Sequence, residues 1–428
     1  MKLDYDEGSY NLSFFNINIE TEEKLSKKVL EENVATFIHE FIHYLQDLIL
    51  PYNIRYNLSN VRWFFNILQF AQQSGKIIRP FDEWNDDSSA LLIQLENSFG
   101  GIKTDETFID DVSNIEDIRS DFDITFGFDA NLKKNRAHRV YWYLVEVFEK
   151  GKVAPTSYHL GARDLLEYIA YKIESKNFPD SLPVSQLPYK SIDLIFDQFG
   201  LSHISDDIRI CIAERCLYND APIHFLLNIL LGDAKIRRKI TDLNYEELYE
   251  YLLSTTTETR DGYRESLIDK TNRRLKQFAN ELQMQYSGFN EISNWIVKVH
   301  NFVEQRLFGR FVFSDIFKMS SDEMFEFIED VINHIGIPLI MNSKEQFISI
   351  HFSETEISQF VQFYTLQQFL SFVHSTELRC PIYDFCQTNG GKCNENCILN
   401  KDMAITGNEN CYYRNFLETY RLNNIRFE

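Results

Sequence analysis

The hydrophobic pattern changes period within the first fifty residues. Residues 11–20 (NLSFFNINIE) end on an alternation of polar and apolar side chains, the two-residue period of a half-buried strand. From Leu25 the apolar positions continue through Val34, Phe37, Ile38, Phe41, Ile42, Leu45 and Leu48 at helical spacing. Thr21 is the expected N-cap, Glu22 and Glu23 fall in the first turn, and Pro51 is the expected stop. Further helices are predicted over 60–73, closed by Gly75, over 136–150, closed by Gly151, and over 160–175. An acidic stretch, 82–123, separates the first two of these, and a short strand is predicted after it at 124–128. Past Pro179 the pattern is almost wholly helical until a short strand at 346–352, and the Pro- and Ser-bearing segment 178–188 reads as a linker. The expectation is an α+β fold, predominantly helical, in three parts. A domain with a small sheet spans 1–180, an all-α region spans 181–345, and a C-terminal helix with a cysteine-rich module spans 346–428. No internal repeat is visible, which removes solenoids and propellers.

Composition narrows the classes. The 428 residues are 44% hydrophobic and include 36 Phe and 22 Tyr, enough for substantial cores. With 43 Lys plus Arg against 64 Asp plus Glu, the net charge of -21 disfavours a nucleic-acid backbone or an anionic membrane as partner. The most apolar run, 223–231, contains His224 and Asn228 and falls well short of the ~20 residues a bilayer requires. Acidic residues at 4, 6 and 7 stand where a secretory leader would carry positive charge. A cytoplasmic protein is expected, its cysteines in a reducing compartment.

The strongest chemical signal is His39-Glu40-Phe41-Ile42-His43, an H-E-x-x-H on the first predicted helix with uncharged flanks. Spacing of four puts both imidazoles on one face, one turn apart, as two ligands of a single zinc ion require. Glu40 is rotated about 100° from His39. Its carboxylate is therefore expected beside the metal, placed to take a proton from a zinc-bound water. Asp47, one turn after His43, is a candidate acceptor for the outer nitrogen of that ring.

These residues resemble the zincin metallopeptidases, in which the two histidines bind catalytic zinc, the glutamate is the general base, and the helix lies beneath a sheet whose edge strand holds extended peptide. The resemblance covers about forty residues around the motif and one later helix. The third-histidine pattern of the metzincins is absent, because Gln46 stands at its glycine position and Leu50 at its histidine position. That points to the gluzincin branch, in which a glutamate from a second helix, often within E-x-x-A, completes the zinc site. Glu167-Tyr168-Ile169-Ala170 matches, with the small residues Gly161 and Ala162 close before it. Glu167 is the expected third ligand, with Glu146, Glu174 and the acidic stretch as alternatives. Tyr158 and His159, just ahead of that helix, are candidate oxyanion-stabilising groups.

Five of the seven cysteines, Cys380, Cys386, Cys393, Cys397 and Cys411, fall within 32 residues, interrupted by Pro381, Gly390, Gly391 and Gly407. Thiolates at this density in a reducing compartment suggest a metal staple, a second zinc or an iron–sulfur cluster. Cys211 and Cys216 are expected in the core. Taken together, the chain is expected to be a zinc metallopeptidase acting on a protein or peptide, with strand addition at 124–128 as a route for substrate. The alternatives are a zincin-like binding or regulatory module and a metal hydrolase of a non-peptide amide or ester.

Overall fold

A computed structural model of the chain describes residues 2–5, 8–81, 98–100, 108–129, 134–152, 154–179, 185–258, 264–285, 287–307, 309–376, 379–391, 393, 397–398 and 411–428. Helices dominate, with small sheets that include the two-residue strands β4 (Lys76–Ile77), β8 (Thr257–Glu258) and β9 (Arg264–Glu265), so the α+β and predominantly helical expectation holds. A five-stranded sheet runs in the order β1 (Lys2–Tyr5), β2 (Gly8–Asn11), β3 (Asn16–Ile19), β10 (Ile337–Asn342) and β11 (Phe347–Ile350). β1, β2 and β3 form an antiparallel meander, and β10 joins β3 in parallel with Ile340 opposite Ile17. A strand from beyond position 336 thus completes the sheet begun by the first twenty residues.

The helix predicted to run from Leu25 is two helices. Ser26 caps α1 (Lys27–Glu32) by accepting from the Val29 N–H, and Asn33 separates it from α2 (Val34–Ile49). Thr21 caps no helix; its Oγ1 accepts from the Glu23 N–H at 3.2 Å in the loop ahead of α1. Pro51 does end the apolar run, yet it also occupies the first turn of α3 (Pro51–Ser74), where its missing N–H costs nothing. Gly75 closes α3 in the left-handed conformation, at φ 72°. Every residue of α2 from Thr36 to Ile49 is buried, as expected for a helix that is apolar on most faces. It lies between β2 and β3 on one side and α3 and α4 (Ala162–Asn177) on others.

Residues 136–150 are not a helix. All but Lys150, which opens the following turn, lie in β6 (Lys134–Glu149), the centre of a sheet with β5 (Val112–Asp129) and β7 (Thr156–Leu160). The segment is rich in β-branched and aromatic residues, and burial alternates along it: Tyr143, Val145 and Val147 are buried, with Leu144, Glu146 and Phe148 less so. Residues 124–128 belong to the 18-residue β5, an edge strand of this second sheet, rather than to a short strand of their own. β7 leads directly into α4. Gly161 starts that helix with its N–H donated to Asp164 (2.8 Å), and a Cβ there would lie 2.0 Å from the Phe99 carbonyl oxygen. The glycine thus serves close approach to the segment at 98–100.

Among the described residues, no helix is long and apolar enough to cross a membrane. Cys211 and Cys216 are buried, as expected, and none of the seven cysteines is joined in a disulfide.

Candidate metal centre

Two buried helices build the site. α2 supplies His39 and His43 one turn apart, and α4 supplies Glu167 and, two turns on along the same face, Glu174. Their ligand atoms converge. The Nε2 atoms of His39 and His43 are 3.1 Å apart, and each lies 3.2 Å from Oε2 of Glu167. Among the described residues this is the one group of three or more His, Cys, Asp or Glu side chains with ligand atoms so close. All three residues are at most 1% exposed.

The outer ring nitrogens fix which atoms face the centre. His39 Nδ1 lies 2.9 Å from Oε2 of Glu174, and His43 Nδ1 lies 2.7 Å from Oε1 of Gln46. Gln46 Nε2 donates to the Leu166 carbonyl at 3.1 Å, so its amide oxygen must be the atom turned to His43. A carboxylate and an amide oxygen can only accept, so both Nδ1 atoms donate. In a neutral ring the Nε2 atom then carries a lone pair.

With both rings neutral, two imidazole lone pairs and a carboxylate oxygen meet among fully buried side chains. Three acceptors so placed repel unless positive charge lies among them. A tetrahedral zinc with ~2.0–2.1 Å bonds to nitrogen would hold its ligand atoms ~3.3 Å apart, close to the 3.1–3.2 Å observed. The donor set fits a metal ion. The pKa shifts tell the same story in protons. Burial alone would raise the Glu167 pKa, but His43 and His39 outweigh it and hold the carboxyl at about 2. Burial lowers the His39 pKa, but its bonds to Glu167 and Glu174 outweigh that and raise it to about 10. Without metal, a proton fills the role.

Glu40 is fully buried, its Oε1 turned toward β2, where a Cβ on Gly8 would lie 3.0 Å from it. Its charge also reaches His39, whose pKa it helps to raise. Tyr189 was not anticipated: its ring packs edge-on against His39 at 6.1 Å, and nothing in the local sequence marks it.

The expectations for Asp47 and Glu146 change. Asp47 does not serve His43; it accepts from Tyr10 Oη and the Ser13 N–H, each at 2.9 Å, and Gln46 takes the place beside the ring. Glu146 lies on β6, accepting from Ser157 Oγ at 2.8 Å, away from the convergent trio. Tyr158 is buried on β7 with its hydroxyl donated to Asp164 (2.9 Å) and accepting from Arg163 (3.1 Å), which commits it to the start of α4. His159, beside it on β7, is likewise fully buried. The acidic stretch lies partly outside the described residues, at 82–97 and 101–107.

No protein-family model, no curated protein and no solved structure matches the chain. The functional reading therefore rests on the site's own chemistry.

Proposed function

We propose that the chain is a zinc-dependent metallopeptidase of gluzincin type, with His39, His43 and Glu167 holding the ion. The observation that carries this reading is the meeting of three acceptor atoms, from the H-E-x-x-H pair and a second helix, at 3.1–3.2 Å with both outer ring nitrogens engaged. Zinc bound there supplies a Lewis acid, which polarises a carbonyl and acidifies water near neutral pH. Glu174 and Gln46 hold the two rings with their Nε2 atoms inward. Glu40, next to His39 but outside the ligand trio, takes a proton from the attacking water and returns it to the leaving amine.

The ligands and Glu40 are all buried. A peptide thus reaches Glu40 only after covering chain moves aside, and β2 at Gly8 is part of that cover. The same burial favours a second reading, in which zinc ties α2 to α4 in a binding module and no substrate enters. Cleavage of unfolded proteins and of a fluorogenic peptide set separates the two, with wild type compared to Glu40→Gln and zinc measured in both. The peptidase reading expects wild-type cleavage that is lost in Glu40→Gln with zinc retained. Cleavage that survives in the variant removes Glu40 as the base. No cleavage by either, with zinc present in both, leaves the binding module.

A further inference from the structure

Two aromatic rings lead from the buried trio to the surface. The His39 ring meets Tyr189 edge-on at 6.1 Å, and Tyr189 stacks on Phe108 at 6.3 Å. Tyr189 is 3% exposed and Phe108 41%, so on this side the pair lies between a proposed ligand and solvent. The same rings run along α4. Arg163, Glu167 and Tyr171 follow one another at intervals of four, on one face of that helix. The Arg163 guanidinium sits over the Phe108 ring at 5.4 Å, and Tyr171 packs against Tyr189 at 6.0 Å. The stacked pair therefore straddles Glu167, with a contact one turn to either side of it.

The two rings belong to segments far apart in sequence that are fastened to each other. Ile109 and Leu187 exchange both backbone hydrogen bonds, at 3.2 and 3.0 Å, in an isolated bridge that belongs to no longer ladder. Gln186 Oε1 accepts from the Val112 N–H at 2.7 Å, and Ser185 Oγ donates to Asp110 at 2.6 Å. Ile109 and Leu187 are both buried, which makes the closed arrangement the resting one. A fastening of so few bonds opens locally while hydrogen-bonded helices beneath it stay folded.

We propose that residues 108–112 and 185–189 form a lid over His39 and Glu167, fastened at the Ile109–Leu187 bridge, and that metal and substrate pass when the Phe108–Tyr189 pair swings away. What passes rests on the metallopeptidase reading; the lid itself rests on packing alone.

The test locks the lid in the full chain. Antiparallel partners that share both bonds have Cα atoms ~5.5 Å apart, within the ~4.4–6.8 Å that a disulfide spans. Ile109→Cys/Leu187→Cys can thus be closed by oxidation and reopened by dithiothreitol, with peptide mapping to establish the bridge and thermal unfolding to establish the fold. The release to excess chelator of the zinc equivalent that His43→Ala lacks is then timed. The oxidised double variant is expected to release it on the order of tenfold more slowly than its reduced form. Phe108→Ala should release it roughly 2–10-fold faster than wild type, through loss of one ring contact. Equal rates from the oxidised and reduced forms overturn the lid. Hydrogen exchange of the metal-free wild type separates the lid from the metal. The Ile109 and Leu187 amides should exchange together and well before those of α2, and protection equal to that of α2 overturns the lid. That early exchange, in a chain that takes up no zinc at His39 and His43, overturns the metal reading and supports the lid.

Discussion

Replacing Glu174 tests the architecture of the candidate metal centre without touching a proposed ligand. Its Oε2 sits 2.9 Å from His39 Nδ1, and both residues are fully buried, so water cannot take its place. Groups that orient a ligating imidazole contribute roughly 10–100-fold in metal affinity, or about 1.4–2.8 kcal/mol. In Glu174→Gln the amide oxygen can still accept from Nδ1, so the ring keeps its direction and loses only the charge that makes it a better donor to metal. That variant belongs at the lower end, about tenfold weaker zinc binding. Glu174→Ala frees the ring as well, and belongs at the upper end, about a hundredfold. Competition of the metal-free proteins against a chromophoric zinc chelator reads both values, and thermal unfolding of the same samples checks that each variant folds. Wild-type affinity in both folded variants, or tighter binding in Ala than in Gln, would refute the role given to Glu174.

Other perturbations follow from the packing around α2. A Cβ on Gly8 would meet Thr36 Cγ2 at 2.6 Å and both the Asn18 carbonyl and Glu40 Oε1 at 3.0 Å. Gly8→Ala should therefore cost about 1–3 kcal/mol by urea unfolding, and an unchanged midpoint would show that β2 does not press on the helix. Asp47 is buried beneath the turn between β2 and β3. Burial raises its pKa from 3.8 to about 7, against the opposing bonds from Ser13, Asn57 and Tyr10. The folded chain holds that proton more tightly than the unfolded one, so the stability it contributes is complete below pH 3.8 and is lost as pH rises through about 7. Asp47→Asn, which imitates the protonated form, should gain on wild type in urea unfolding between pH 5 and pH 8. An equal difference at the two pH values would contradict the buried proton.

The candidate metal centre was legible where its geometry is local. Spacing of four on α2 and of seven on α4 places His39 with His43 and Glu167 with Glu174 by helical periodicity alone. What periodicity could not decide was the partner of His43. Gln46 and Asp47 follow it by three and four residues, and both can lie on the ring's side of the helix. The choice falls to Gln46 because its amide also reaches the Leu166 carbonyl on α4, while Tyr10 and Ser13 draw Asp47 toward the sheet. Those partners are 120, 37 and 34 residues away in sequence. The same distance hid the pairing of β10 with β3. The misread β6 has a different cause. Val140 to Phe148 is apolar at nearly every position, so helical and alternating patterns both fit, and β-branched and aromatic side chains decide for strand.

Zinc content per chain in wild type and His43→Ala, both purified without chelator, tests the central claim most directly. The convergent trio predicts one zinc equivalent more in wild type than in the folded variant. Equal zinc in the two would mean that a shared proton, and not a metal, holds His39, His43 and Glu167 together, and the peptidase reading would fall with it.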